Sequence, residues 1–275
     1  MRLVRGHFQA FREVTGLLTK HRQLTLEMTK REISERYSGQ IFGVFWAIGH
    51  PLFLIGLYVF IFAFVFKTKI GDTYELPLDY TTYILVGLIP WMSFQEAMNK
   101  SCVSITGNAS LVKQVVFPLE ILPVKGVAAS LLNQIISTSI LVIYVLASHG
   151  RLHWTYALLP VLMILQTLAM IGVSYIFSSV SVFLRDVKDI VQIFCLAGMY
   201  LMPVFYLPQW VPRLFKPILY VNPFSYLTWC YQDALYFGRF EHPWAWAVLI
   251  VSSLGVFSLG YRVFRKLKIY FGNVL

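Results

Sequence analysis

The chain has 275 residues, a formal net charge of +10 and a mean hydropathy of +0.65. Hydrophobic residues make up 57% of it and charged residues 13%, whereas soluble domains carry about 25% charge. This composition excludes an ordinary soluble enzyme and predicts an integral membrane protein, too short to add a catalytic domain to several spans. Cys102, Cys195 and Cys230 lie far apart without metal-ligand spacing, so no metal site is expected.

The N-terminal segment, residues 1–39, is rich in charge and is predicted to form an amphipathic helix. One face of the helical wheel carries the apolar residues Val4, Phe8, Phe11, Val14 and Leu18. Basic residues flank the opposite, polar face. Such a helix suits the headgroup layer of a membrane, where its apolar side is buried. A helix packed on another cytoplasmic subunit is the alternative that the pattern leaves open.

The run between Arg36 and Lys67 contains 30 residues without a charged side chain. About 20 apolar residues cross the hydrocarbon of a bilayer, so this run predicts a transmembrane helix. Charge-poor stretches predict six spans in all, at 37–66, 80–95, 126–148, 152–184, 190–212 and 243–261. The predicted fold class is therefore an all-α integral membrane protein, with a six-span domain at 40–262 and a short cytoplasmic C-terminus at 263–275.

Lysine and arginine residues are distributed unevenly over the connections between these spans. Seventeen of the 23 lie on the side of the predicted topology that includes both termini, and six lie on the other side. Because positive residues stay on the cytoplasmic side of a membrane, both termini are expected to be cytoplasmic. The basic net charge then reflects topology, and no nucleic-acid partner is expected.

The stretch NASLVKQVVFPLEILP, Asn108–Pro123, lies in a predicted cytoplasmic connection and is unusually apolar. Pro118 and the charged residues make it a poor span, and a plain linker would be more polar. We therefore expect a short helix that another protein can contact through Val115, Val116 and Phe117.

The chain lacks the motifs of common membrane enzymes and energy-coupled carriers. It contains no Gly-Lys dipeptide and hence no phosphate-binding loop, and it has no HExxH or GxSxG motif. Five of the six predicted spans have no acidic or basic residue in the middle, which argues against a proton-coupled carrier and against a lipid-linked glycosyltransferase. Glu96, at the inner end of the second span, is expected to face protein or water unless it simply lies at the interface. The energy for transport should come from a partner.

Residues 200–246 hold 15 of the 45 aromatic residues and six of the twelve prolines. The run 217–232 is apolar but has only 16 residues, and both of its ends are expected on the outer side. Such a segment is typical of a re-entrant or interfacial helix. The rings could form a plain interfacial belt, or they could stack on sugar faces at an exit with Tyr206, Trp210 and Phe215 as gate candidates. Both alternatives stay open.

Five sequence blocks, in this order, resemble a known family. They are RYSGQIFGVFWAIGHPL (Arg36 to Leu52), GLIPWMSFQEAM (Gly87 to Met98), NASLVKQVVFPLEILP, FLRDVKDI (Phe183 to Ile190) and VNPFSYL (Val221 to Leu227). Over nearly its whole length the chain resembles the permease subunit of the ATP-binding-cassette (ABC) exporters that move bacterial polysaccharides of the O-antigen, capsule or teichoic acid types.

The resemblance implies a homodimer of six-span subunits in the bacterial inner membrane, completed by two cytoplasmic ATPase subunits. ATP and Mg²⁺ would bind those subunits, and this chain would need no cofactor. The implied cargo is an undecaprenyl-diphosphate-linked glycan. A drug or small-lipid exporter of the same fold is an alternative. A membrane-embedded glycan-processing enzyme is a second one, disfavoured by the missing acids.

The resemblance also implies roles for individual residues. The ATPase-coupling set comprises Lys113, Val116, Phe117, Pro118 and Glu120. The cytoplasmic gate comprises Tyr37 and Trp46. The outer gate would lie in two short re-entrant helices between spans five and six, roughly Pro208–Tyr220 and Asn222–Phe237. Its candidate residues are Tyr206, Trp210, Phe215, Asn222 and Pro223. Further functional candidates are Glu96, Arg185 and Asp186.

Overall fold

A computed structural model describes residues 2–61, 77–113 and 117–275, and for residues 2–10 and 44 it describes the backbone alone. These residues form helices and their connections, without a β-strand. The α-helices are, in order, α1 (Arg2–Lys20), α2 (Arg22–Tyr37), α3 (Trp46–Val59), α4 (Tyr80–Ser104), α5 (Ala109–Val112), α6 (Ile121–His149), α7 (Leu159–Phe183), α8 (Val187–Gly198), α9 (Lys216–Val221), α10 (Pro223–Gln232), α11 (Pro243–Leu267) and α12 (Phe271–Val274).

Three helical stretches in the described residues are long and apolar enough to cross a membrane. They are Ile121–His149, Trp154–Phe183 and Pro243–Val274. The all-helical architecture with apolar spans agrees with the prediction from composition, whereas the count of six spans stays a prediction. Helix α3 is apolar too, but it has only 14 residues.

Helix α4 is the central helix of the fold. Every residue from Thr81 to Trp91 is buried, and the helix packs against α6, α7, α8 and α10. Its first turn is capped by Asp79, whose carboxylate accepts hydrogen bonds from the Thr82 amide at 3.1 Å and from the Thr82 hydroxyl at 2.6 Å. Because protein surrounds α4, its polar residues find partners that lipid would not supply. This explains why α4 is less apolar than α6, α7 and α8.

Helices α7 and α11 form the most extensive helix pair. Gly172 and Gly260 lie at their crossing, where a Cβ on Gly260 would lie only 2.0 Å from the Gly172 carbonyl oxygen. Small residues let two backbones approach closely, which is a common way to associate helices in a membrane. The crossing therefore depends on the absence of side chains at both positions.

The predicted first span, 37–66, is not one continuous helix. Residues 38–45 form turns, in which Gly39 (φ 78°) and Gly43 (φ 49°) adopt left-handed backbone conformations, and α3 begins only at Trp46. Glycine adopts this conformation readily because it has no Cβ. The last residues of the predicted span, 62–66, lie outside the described part of the chain.

The helix in the predicted fifth span, 190–212, is also shorter than expected. Helix α8 ends at Gly198, and its 12 residues reach about 18 Å against the ~30 Å of a bilayer core. Pro203, Pro208 and Pro212 follow, and proline lacks the amide donor that a helix interior needs. The chain therefore continues as turns, with one 3₁₀ turn at Pro208–Trp210.

Two short helices follow α8, but their bounds differ from the prediction. The segment predicted as one helix at Pro208–Tyr220 is a 3₁₀ turn followed by α9. The second predicted helix, at Asn222–Phe237, consists of α10 and a π-helical turn at Asp233–Phe237. Asn222 caps α10 by accepting a hydrogen bond from the Phe224 amide at 3.1 Å, and Pro223 occupies its first turn. Their re-entrant placement stays a prediction.

The amphipathic helix α1 packs against α11 of the same chain. Val14 is buried, the Phe11 ring lies 5.8 Å from the Phe257 ring, and Glu13 pairs with Arg265 at 2.6 Å. Phe11 is still exposed over 40% of its surface. Part of the apolar face thus covers the end of α11, a partner that neither sequence-based alternative included.

Candidate functional site

A cavity of about 330 Å³ opens between α3, α4 and α6, beside the C-terminal end of α2. Part of its wall is apolar and is formed by Ile55, Leu85, Leu88, Ile89 and Met92. Another part is polar and is formed by Gln95, Asn99, Asn133, Gln134 and Ser137. A cavity of this size and mixed lining fits a small ligand or one segment of a longer one.

Glu96 joins three elements at one edge of this cavity. Its carboxylate lies 2.6 Å from Arg36 Nη1 of α2 and 3.0 Å from Lys100 Nζ of its own helix. Asn133 of α6 donates to both carboxylate oxygens, at 3.2 and 3.0 Å. The acid is therefore paired with two cations and hydrogen-bonded to an amide, so it connects α4 to α2 and α6.

A second acid, Glu32, ties the same end of α2 to α4 and α6. It lies 3.5 Å from Lys100 Nζ and 3.1 Å from Lys125 Nζ. Burial alone would raise the pKa of Glu32, but the two lysines outweigh it and hold the pKa below its ordinary value. Nothing in the sequence pattern singled out Glu32, because a glutamate on a charged helix is usually solvated.

The two predicted cytoplasmic gate residues have different surroundings. Tyr37 is only 8% exposed and lines the cavity, with the Arg36 guanidinium carbon 5.6 Å from its ring centroid. Trp46 is 42% exposed and packs edge-on against Phe42 at 6.0 Å. The structure brings Tyr37 to the cavity, while Ala47 rather than Trp46 lines it.

A buried hydrogen-bond network behind the cavity was missed by the sequence analysis. Gln134 of α6, Gln166 of α7 and Tyr231 of α10 are each at most 1% exposed, and their polar groups lie 2.7–2.9 Å apart. Gln166 also donates to the Pro90 carbonyl oxygen of α4 at 2.9 Å. The only available signal was an isolated glutamine in each of two otherwise apolar runs.

The predicted ATPase-coupling residues are divided by the structure. Lys113 is exposed, Phe117 and Pro118 are half-buried, and Val116 lies outside the described residues. Glu120 is 3% exposed and forms an ion pair with Lys268 beyond the end of α11. Glu120 therefore connects the start of α6 to the C-terminal segment, which leaves Lys113, Phe117 and Pro118 as the members with accessible surface.

Arg185 and Asp186 form the exposed turn between α7 and α8. Asp186 stands at the N-cap position of α8 without a side-chain capping bond. The turn and the C-terminal segment are neighbours, since the Phe183 and Phe271 rings lie 6.2 Å apart.

Two of the predicted outer-gate residues, Tyr206 and Trp210, lie at the N-terminal end of α4. The Tyr83 hydroxyl of α4 donates a hydrogen bond to the Tyr206 carbonyl oxygen at 3.2 Å, and the Trp210 ring lies 6.2 Å from the Tyr80 ring. Trp210 and Phe215 are 47% and 53% exposed, so both rings are free to contact lipid, ligand or a partner chain. Asn222 and Pro223 lie elsewhere, at the start of α10, where the Phe224 ring contacts the middle of α4. Asn222 donates to the Leu201 carbonyl oxygen at 3.3 Å.

A buried acid, Asp233, fixes the π-helical turn to the start of α11. It is 1% exposed, and it accepts hydrogen bonds from the His242 amide at 3.0 Å and from the Trp246 indole at 3.1 Å. The His242 ring nitrogen lies 3.0 Å from the same carboxylate, and this ring stacks on Trp229 at 5.3 Å. Many of the aromatic rings at this end therefore pack on one another and anchor the fold.

The described residues contain no group of three His, Cys, Asp or Glu side chains that could hold a metal ion. What the arrangement offers is a partly polar cavity beside partly exposed ion pairs, accessible surface at Lys113, Phe117 and Pro118, and a tyrosine at the cavity edge. Comparison with known proteins identifies the family of the chain. The model of the ABC-2 type transporter membrane domain matches residues 23–236. The chain belongs to the ABC-2 type transporter family.

Curated relatives of this ABC-2 chain carry a more specific name. This chain is 26% identical over 254 residues to an O-antigen export system permease protein RfbA of Klebsiella pneumoniae, and the match covers 92% of this chain and 95% of that protein. It is 25% identical over 224 residues to the RfbA permease of Myxococcus xanthus, covering 81% and 84%. The resemblance to polysaccharide-export permeases inferred from the sequence blocks is thereby confirmed, and the chain is an ABC-2 type transporter permease.

Proposed function

We propose that this chain is the membrane-spanning permease of an ABC exporter that moves a lipid-linked polysaccharide of the O-antigen or capsule type across the bacterial inner membrane. The observation that carries the proposal is the similarity to O-antigen export permeases over 92% of the chain. The cavity supports it, because polar and apolar walls together suit a cargo with a sugar part and a lipid part.

In this proposal two copies of the chain, each with six spans and cytoplasmic termini, assemble with two ATPase subunits. The ATPase contacts Lys113, Phe117 and Pro118, and the ion pair of buried Glu120 with Lys268 carries the movement to α6 and the C-terminal segment. Tyr37 and the α2 ion pairs with Glu96 control entry to the cavity. The cargo is an undecaprenyl-diphosphate-linked glycan, and its lipid part enters from the membrane.

The outer gate is proposed at the exposed rings of Trp210 and Phe215. Trp244 is less suited, because its ring, although 41% exposed, packs against the rings of Tyr226 and Trp229 at 5.3 and 5.1 Å. Sugar rings stack on exposed indole and phenyl faces, and weak repeated contacts let a long chain slide. Trp210→Ala should reduce surface polysaccharide without reducing the amount of complex in the membrane. Trp244→Ala is the matched control and should instead reduce the amount of folded protein.

Deletion of the gene in its host tests the proposed function. Surface polysaccharide should disappear and lipid-linked glycan should accumulate in the inner membrane, and the wild-type gene should restore export. Unchanged surface polysaccharide would contradict the proposal. If the deletion instead raised sensitivity to amphiphilic drugs, the alternative of a drug or small-lipid exporter would replace it.

A further inference from the structure

Gln134 occupies an unusual position between the cavity and the buried network. It lines the cavity, yet it is only 1% exposed, and it lies on α6 opposite Gln166 of α7 and Tyr231 of α10. Its amide nitrogen lies 2.8 Å from Gln166 Oε1 and 2.9 Å from the Tyr231 hydroxyl oxygen. The amide nitrogen therefore belongs to the buried network, while the residue also forms part of the cavity wall.

The hydrogen-bond pattern determines which way this amide faces. Gln166 uses its nitrogen to donate to the Pro90 carbonyl at 2.9 Å, and a carbonyl can only accept. Gln166 Oε1 must then face Tyr231 and Gln134, where it accepts from the Tyr231 hydroxyl at 2.7 Å. Gln134 is left to donate both of its amide hydrogens into the network. Its own oxygen, Oε1, has no hydrogen-bond partner among the described residues.

A buried oxygen without a donor is costly, and such groups in native proteins usually have a partner that the protein alone does not supply. Gln232 provides a comparison, since its Oε1 is also without a partner in the described part of the chain, but it does not line the cavity. Of the residues that the structure describes, only Gln134 combines a buried, unpartnered side-chain oxygen with a place in the cavity wall, next to the polar side chains of Asn133 and Ser137.

We propose that Gln134 is a saccharide-binding residue, whose amide oxygen accepts a hydrogen bond from a hydroxyl group of a sugar unit in this cavity. Gln166 and Tyr231 are positioning residues that hold the amide in the required orientation. A lipid chain has no donor and would leave the oxygen unpaired, whereas a sugar supplies hydroxyls to the oxygen and to its polar neighbours. This proposal rests on the proposed function for the source of the sugar.

Protection of a cysteine in the cavity tests the proposal directly. Ser137→Cys, one turn from Gln134, is introduced into the full-length chain in lipid nanodiscs and labelled with a water-soluble maleimide. Native Cys102, Cys195 and Cys230 are buried, and the unsubstituted chain measures their background labelling. The probe is oligosaccharide released by mild acid from the host's surface polysaccharide, and farnesyl phosphate serves as the lipid probe.

The oligosaccharide should slow the labelling of the introduced thiol. When Gln134→Met is added, the oligosaccharide concentration that halves the labelling rate should rise about tenfold, as expected for loss of one hydrogen bond. Tyr231→Phe should raise it by a smaller factor, because the cavity surface is kept while one contact that orients the amide is lost. Gln232→Met is the matched control and should leave protection unchanged. Size-exclusion profiles check that each variant is folded.

Equal protection in the parent and in Gln134→Met, or protection by farnesyl phosphate alone, would overturn the proposal. Neither outcome affects the proposed function, which is judged separately by gene deletion. Conversely, if deletion leaves surface polysaccharide unchanged, the proposed function fails, while saccharide protection that depends on Gln134 would still establish the binding residue.

Discussion

The crossing of α7 and α11 allows a quantitative test of how the fold is held together. A Cβ at Gly260 would lie 2.0 Å from the Gly172 carbonyl oxygen, and one at Gly172 would lie 2.5 Å from the Val256 carbonyl oxygen. Close carbon–oxygen contacts in proteins are about 3.3 Å. Gly260→Ala must therefore open the crossing by about 1 Å, because both opposing groups are backbone and cannot rotate away.

The energetic consequence follows from that displacement. A gap of 0.5–1 Å forfeits roughly a quarter to a half of the dispersion energy of each contact that spans it. Overpacking a well-packed core costs about 1–3 kcal/mol, and the α7–α11 pair is the most extensive in the fold. We expect Gly260→Ala to lower stability by about 2–3 kcal/mol, near the upper end of that range.

Thermal unfolding of the purified chain in detergent, followed by loss of the monodisperse size-exclusion peak, measures this effect. Gly255→Ala is the matched control, because it lies on the same helix and a Cβ there would meet no atom within 4 Å. The apparent melting temperature should fall by several degrees for Gly260→Ala and stay unchanged or rise for Gly255→Ala. Equal melting temperatures for the two variants would refute the close-approach argument.

Three further predictions concern ion pairs and the loop. Asp233→Asn should lower stability by about 1.5–3 kcal/mol because a charged hydrogen-bond acceptor is lost, and an unchanged melting temperature would contradict this. The pKa of Glu32 is lowered, so its pairs with Lys100 and Lys125 stay formed above the ordinary carboxyl value of about 4.3 and are lost as pH falls through the lowered pKa. Limited proteolysis of α2 should show constant protection down to about pH 5; loss above that pH would disprove it. Phe117→Ala should weaken ATPase pull-down about 30-fold, as for loss of an interface anchor of about 2 kcal/mol, while Lys113→Ala should change it less; wild-type pull-down would show that the loop is no interface.

The family could be predicted from five ordered sequence blocks, and the fold class could be predicted because long uncharged runs have one main physical explanation. Lipid cannot solvate charged side chains, so their absence over about 20 residues indicates a membrane environment. The exact helices could not be predicted in the same way. The uncharged run 190–212 contains a helix that ends at Gly198, because prolines interrupt the backbone hydrogen bonds without changing hydropathy.

The candidate site was predictable only in part. Tyr37 and Glu96 were named from the sequence, and both line the cavity. Glu32 and Gln134 were missed, because their partners come from other helices and no local pattern marks them. The expected contact of Glu120 with an ATPase did not anticipate its pairing with Lys268, which lies 148 residues further along the chain.

Composition and charge order by themselves determined that this chain belongs in a membrane and predicted which ends of its apolar runs face the cytoplasm. Those properties are sums over single residues, since each side chain has its own cost of transfer into lipid. Tertiary structure alone decided that α4 is surrounded by protein and that the side-chain oxygen of Gln134, a residue of the cavity wall, has no hydrogen-bond partner among the described residues. Those properties depend on pairs of residues, such as Gln134 and Tyr231, which are 97 positions apart in the chain and meet only when the helices pack.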